Sequence, residues 1–253
     1  MTRSIFLLLA IIVASPTLAE TPPRIAIIID DLGYDHELGL RAIALPAQLT
    51  VAILPHTPRA RSLAEAARAS GKEVIVHLPL EAMNPRGPFE PERLTLAMTE
   101  PEVDAVLQRA LAAVPHAVGV NNHRGSLLTR QPLHMQWLMN RIGSTGDLFF
   151  VDSFTTHHSV AMDAAEKAGV PAVRRDVFLD HSRDPSQMRQ QLERLKRRAS
   201  SEGQAVAIGH PYPETMALLE EVLPELKAEG FELVPVSQLV KTGTPAALAA
   251  SGL

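Results

Sequence analysis

Apolar residues recur along this chain in two alternating rhythms: short unbroken runs, and longer stretches with a helical period. The runs cover residues 25–29, 49–54, 73–78, 117–120, 148–151, 171–173, 205–208 and 231–234. Continuous runs of this length predict strands buried on both faces, the habit of a parallel sheet covered by helices. Between them, residues 59–70, 133–142, 160–168, 185–201 and 214–229 carry helical patterns, and Gly71, Gly169, Gly203 and Gly230 stand where such helices would close. Thr99-Glu100-Pro101-Glu102 reads as a capping box ahead of Val103, Val106, Leu107, Ala110, Leu111 and Val114, which share one helix face. The alternation predicts an α/β chain with a mostly parallel sheet or barrel of about seven to eight strands. The proline-rich stretch 81–98 is the one long irregular segment, of the kind that faces a ligand from a strand end.

The polar residues that end these runs change the picture from fold to chemistry. The first run stops in Asp30-Asp31, the third in His77 with Glu81 four residues on, and the fourth in Asn121-Asn122-His123. The fifth stops in Asp152-Ser153 and the seventh in His210. In parallel α/β proteins ligands bind beyond the carboxyl ends of the strands, so neighbouring runs would gather all these groups on one face. Aspartate and histidine are the donors that zinc and similar divalent ions take, and three protein ligands with an open position mark a catalytic site. The plainer reading makes one aspartate of the pair a helix cap, Asp152-Ser153 another cap, and Arg175-Asp176 a surface ion pair.

Composition narrows the remaining choices. Residues 1–19 hold one basic residue, Arg3, an apolar run over 5–13, and Thr17-Leu18-Ala19, the order of a cleaved secretory signal. The run is short for a bilayer span, which needs about 20 residues, so no stable membrane anchor is expected after cleavage, and the protein is expected in the periplasm or outside the cell. A single domain over 20–240 and a disordered tail over 241–253 are expected. The net charge of -4 carries no basic patch for nucleic acid, and with no cysteine the core must hold without disulfides. One Trp and two Tyr leave little for an extended aromatic stacking platform. No Gly-x-Ser-x-Gly elbow supports a serine hydrolase.

The blocks Ile29-Asp30-Asp31-Leu32-Gly33-Tyr34, His77-Leu78-Pro79-Leu80-Glu81, Gly119-Val120-Asn121-Asn122-His123-Arg124-Gly125-Ser126, Phe150-Val151-Asp152-Ser153, Arg175-Asp176-Val177-Phe178-Leu179-Asp180 and Ile208-Gly209-His210-Pro211 together resemble the divergent polysaccharide deacetylases. The resemblance covers nearly all of the chain after the leader. It implies a distorted (β/α) barrel, a divalent metal that is usually zinc, and hydrolysis of N- or O-acetyl groups on an acetylated oligosaccharide or cell-envelope glycan. Carried over from the broader superfamily, Asp30 would be the base, Asp31 a metal ligand and His210 the acid. The superfamily's His-x-x-x-His is here His77-Leu78-Pro79-Leu80-Glu81, so the third ligand is Glu81 or, preferred for zinc, His123. Its Arg-x-Pro block is also replaced, by Asn121, Asn122 and Arg124. Asp152 or Asp176 would hold His210 in its tautomer, Arg175 would fix a carboxylate, and Asn122 is a further site candidate. A non-catalytic glycan-binding or envelope protein that keeps the fold is the alternative, favoured by the lost blocks and opposed by the intact Asp30, Asp31 and His210.

Overall fold

The computed structural model describes residues 21–84, 90 and 92–241; the expected leader and, apart from Lys241, the expected tail lie outside them. Eight parallel strands form one curled sheet in the order β6-β5-β4-β3-β2-β1-β8-β7. They are β1 (Arg24–Leu32), β2 (Thr50–Ile53), β3 (Glu73–Leu80), β4 (Gly119–Arg124), β5 (Phe149–Asp152), β6 (Ala172–Arg174), β7 (Val177–Phe178) and β8 (Gln204–Gly209). Seven helices among the described residues connect them: α1 (His36–Ala44), α2 (Ala60–Ala69), α3 (Glu100–Ala113), α4 (Pro132–Ser144), α5 (Ala161–Ala168), α6 (Pro185–Glu202) and α7 (Pro213–Ala228). This is the barrel-like α/β fold that the alternating pattern predicts.

Strand parity builds two cores. Ile25, Ile27 and Ile29 of β1 face the helices, while Ala26 and Ile28 face inward with Ala52, Ile75, Val151, Val206 and Ile208. All of these are buried, and full burial of a Val, Leu or Ile side chain contributes about 1.5–3 kcal/mol. The run at 231–234 is not a stave of the barrel. Its two-residue strand β9 (Glu232–Leu233) pairs only with Arg24 and Ile25, below the point where β2 joins β1 at Ile28. Val234, Val236 and Leu239 then plug the inner core from that end.

No helix separates β6 from β7, and two consecutive amides bridge the sheet's edges instead. Arg175 N donates to Asp152 O on β5, and Asp176 N donates to Val206 O on β8. The uncovered flank leaves a cavity of about 590 Å³ between α5, β6 and α6. Helix α1, which the apolar periodicity does not announce, buries only Gly39, Ala42 and Ile43; its start is set by Asp35, whose side chain accepts from Leu38 N. The predicted capping box is present, with the Glu102 carboxylate accepting from both the Thr99 N–H and its hydroxyl. No described helix is long and apolar enough to cross a membrane.

The turn that follows β1 depends on Gly33, at φ +134, where a Cβ would stand 2.0 Å from Thr57 Oγ1. Gly33→Ala should therefore lower stability by about 1–3 kcal/mol from backbone strain alone. Gly71→Ala, at φ +71 with nothing within 4 Å of the added methyl, should cost about 1–2 kcal/mol. Urea unfolding of the two variants should rank Gly33→Ala as the more damaging.

Candidate metal centre and catalytic face

The inward parity of the strands carries straight into the site. Two residues beyond Ile28, Ile75 and Ile208 come Asp30, His77 and His210, and on β4 Asn121 and His123 occupy successive inward positions. Asp30, His77 and Asn121 are buried. Asp31 has the opposite parity and should face the helices. A bulge between Ile29 and Leu32 and a left-handed backbone at Asp31, φ 60, turn it back toward its neighbours. Left-handed non-glycine residues also stand at the exits of β2, β4 and β5, at His56, Arg124 and Phe154. Each such residue costs roughly 1–2 kcal/mol, and strain of this kind concentrates at functional sites.

Asp31, His77 and His123 converge. Asp31 Oδ1 lies 3.1 Å from His77 Nε2 and 3.0 Å from His123 Nδ1, and the two ring nitrogens are 3.0 Å apart. Asp31 Oδ1 is buried yet has no hydrogen bond of acceptable geometry. Three donors within about 3 Å of one another, one of them an orphaned carboxylate oxygen, are what ligands converging on a single divalent ion present. Beside them opens a cleft of about 160 Å³ lined by Tyr34, Thr57, Glu90 and Arg124 as well as Asp31 and His123.

The surrounding groups set the charge states. Burial pushes the Asp30 carboxyl up, partly offset by His77 and His210 and by the hydrogen bond from Asn121 Nδ2, 2.8 Å. Burial acts on Asp31 in the same direction, but His123 and His77 outweigh it and hold this carboxyl well below the usual range. Burial alone would lower His123; Asp31 and Glu90 overcome it and push the metal-free ring up to about 9. His210 is likewise raised, its burial outweighed by Asp180. Asp180 Oδ1 is 2.9 Å from His210 Nδ1, and its Oδ2 accepts from His210 N and Thr215 Oγ1. The ring is packed between Phe178 and Tyr212, with centroids 5.2 and 5.4 Å away. Its Nε2 stands 3.9 Å from Asp31 Oδ2.

Several expected partners are elsewhere. The carboxylate on His210 is Asp180, not Asp152 or Asp176. Asp152, of outward parity, accepts from Phe154 N and Ser159 Oγ, while Asp176 holds Val206 N and Arg198. Arg175 fixes no carboxylate and donates to the carbonyls of Ser153 and Phe154. Glu81 lies outside the donor cluster and clamps its own loop by accepting from Leu96 N. Asn122 also points away, bonding Arg124 O and Ser153 N.

Asn121, Asp180 and Glu90 join the site although the sequence assigns none of them a role. The first two were findable by parity, since Asn121 is two residues from His123 and Asp180 is two from inward Phe178. Glu90 comes from the irregular loop, whose pattern has no period to read.

Comparison with known proteins places this arrangement. A family model for divergent polysaccharide deacetylases matches residues 27–240. The uncharacterized protein YibQ of Escherichia coli is 37% identical over 237 residues, covering 92% of this chain and 72% of that protein. The crystal structure of the uncharacterized protein ATU2773 from Agrobacterium tumefaciens is similar with a TM-score of 0.83 at 26% identity, over 89% of this chain and 92% of that one. At 13% identity the fold also matches a mutant of BA3943, described as a CE4 family pseudoenzyme with restored enzymatic activity, with a TM-score of 0.54 over 87% of this chain and 68% of that one. With the barrel, the Asp-Asp strand end and the match over nearly all of the described residues agreeing, this chain belongs to the divergent polysaccharide deacetylase family.

Proposed function

We propose that this protein is a metal-dependent hydrolase that removes acetyl groups from an envelope or extracellular glycan. The observation that carries the reading is the convergence of Asp31, His77 and His123 beside a buried carboxylate, Asp30, and a carboxylate-backed imidazole, His210. Asp31, His77 and His123 would hold the ion, and their one-carboxylate, two-imidazole set suits zinc. When bound, a divalent ion supplies Lewis acidity to a carbonyl and makes water a better acid.

The protein's own groups would do the rest. Asp30 accepts the proton of the attacking water; its raised pKa brings a carboxylate closer to the operating pH, which suits a general base. Asn121 holds one Asp30 oxygen and leaves the other facing His77, 3.6 Å away. His210 gives a proton to the departing amine or alkoxide, and Asp180 keeps its Nδ1–H engaged so that Nε2 points into the site. The leader-like segment at 1–19 supports an extracytoplasmic substrate.

Three measurements test this. Zinc uptake by the metal-free protein should release close to one proton near neutral pH, because His123 is charged below about 9 and must be neutral to ligate. Apparent affinity should accordingly climb as pH rises toward that value, read by calorimetry in buffers of different ionisation heat. A flat pH dependence would contradict the assigned ligand.

With acetate release from an acetylated oligosaccharide mixture as the assay, Asp30→Asn should retain stoichiometric metal and lose about 100- to 10,000-fold in rate. Unchanged turnover at full occupancy would remove Asp30 as the base, and binding without turnover in the wild type would favour the glycan-binding reading. Asp180→Asn should shift the basic limb of the pH–rate profile to lower pH. His210 must be protonated to act, its competence is lost as pH rises through its pKa, and the Asp180 carboxylate is what raises that pKa. A basic limb that stays put would assign it to another group.

A further inference from the structure

We infer that Asn121 and Glu90 are positioning residues that make the two histidines present opposite ring nitrogens, Nε2 of His77 and Nδ1 of His123, to one divalent cation. The inference rests on the metal-dependent reading above and adds how this chain builds its ligand set without a His-x-x-x-His segment.

A neutral imidazole has one N–H and one lone pair, and the acceptor on one nitrogen decides which nitrogen is left to ligate. For His77 that acceptor is Asn121 Oδ1, 2.8 Å from Nδ1. The orientation of the amide is not arbitrary. Asn121 Nδ2 reaches Asp30 Oδ1 at 2.8 Å, and an ionised carboxylate only accepts, so the amide oxygen must be the atom facing His77. His77 therefore carries its proton on Nδ1 and offers Nε2. For His123 the acceptor is Glu90 Oε1, 2.8 Å from Nε2, which leaves Nδ1 as the ligating atom. Both free lone pairs then lie on the side of Asp31 Oδ1, and the rings meet edge to face at 72°.

Strand register explains why the two must differ. His77 is level with Asn121 across β3 and β4, whereas His123 is level with Pro79, one inward step further along the barrel. Inward positions on a strand are about 6–7 Å apart. The lower histidine spans this offset with its far nitrogen, and the upper one reaches back with its near nitrogen. Glu90 also lies 3.2 Å from Arg124 Nε, so its charge is shared between the ligand and the cleft wall.

The test uses the full chain with isotope-labelled histidine, loaded with a magnetically active cadmium isotope. Cadmium–nitrogen couplings should appear at His77 Nε2 and His123 Nδ1, with the ring protons on the two opposite nitrogens. Zinc competition titrations should show Glu90→Leu and Asn121→Ala each weakening affinity by about 10- to 100-fold. Glu90→Gln, which keeps an acceptor oxygen, should recover most of the loss. Urea unfolding of the metal-free variants checks that the barrel persists, and the wild-type couplings stand independently of whether any variant folds. Couplings to like nitrogens on both rings, or variants that bind zinc as tightly as the wild type, would overturn the inference while leaving the metal-dependent reading intact. A wild-type protein that takes up neither ion overturns both.

Discussion

Two adjacent carboxylates, Asp30 buried and Asp31 half-buried, stand at the end of an apolar strand, and the neighbouring strands are arranged to answer that. Moving a charged group into a protein interior costs several kcal/mol even after relaxation, unless partners and hydrogen bonds offset it. Asp30 is met by Asn121 and, more distantly, by His77 and His210; Asp31 is met by His77 and His123. Every one of these groups comes from a strand other than β1 or from just beyond its end. The requirement to compensate these two carboxylates therefore links four strands, β1, β3, β4 and β8, that packing alone would not tie together.

The barrel makes that compensation geometrically possible. Its inner face is narrow, with Ala26 and Ala52 among the inward residues, and its far end is sealed by Val234, Val236 and Leu239. Inward residues at the carboxyl ends are thus brought close enough to hydrogen-bond across several strands. Asn121 is the clearest case, one amide serving both the carboxylate on β1 and the imidazole on β3. The left-handed backbone at Asp31 adds the second carboxylate to a face that parity assigns only to the first.

The loop that follows β3 also takes part in building the site. Glu81, four residues after His77, is used in the backbone of its own loop, where it secures Leu96 N. The same loop then returns Glu90 to the site from above. A loop that is irregular in sequence is in this way held by two of its carboxylates, one directed to its own backbone and one to a histidine of the cluster.

Much of this was open to the sequence by itself. Continuous apolar runs announced buried parallel strands, polar residues at their ends announced a shared face, and Asp30, Asp31, His77, His123 and His210 are the groups that meet there. Those features are local, because strand period and strand ends depend on nearest neighbours along the chain. What tertiary structure decided is what depends on register and on backbone exceptions. It set Asp180 rather than Asp152 or Asp176 against His210, turned Asn121 inward and Asn122 away, and reduced the run at 231–234 to a plug. It also drew Glu90 from an aperiodic loop onto His123. A one-residue change of parity reverses the face a side chain occupies, and pairing across strands far apart in sequence is fixed only when the sheet assembles.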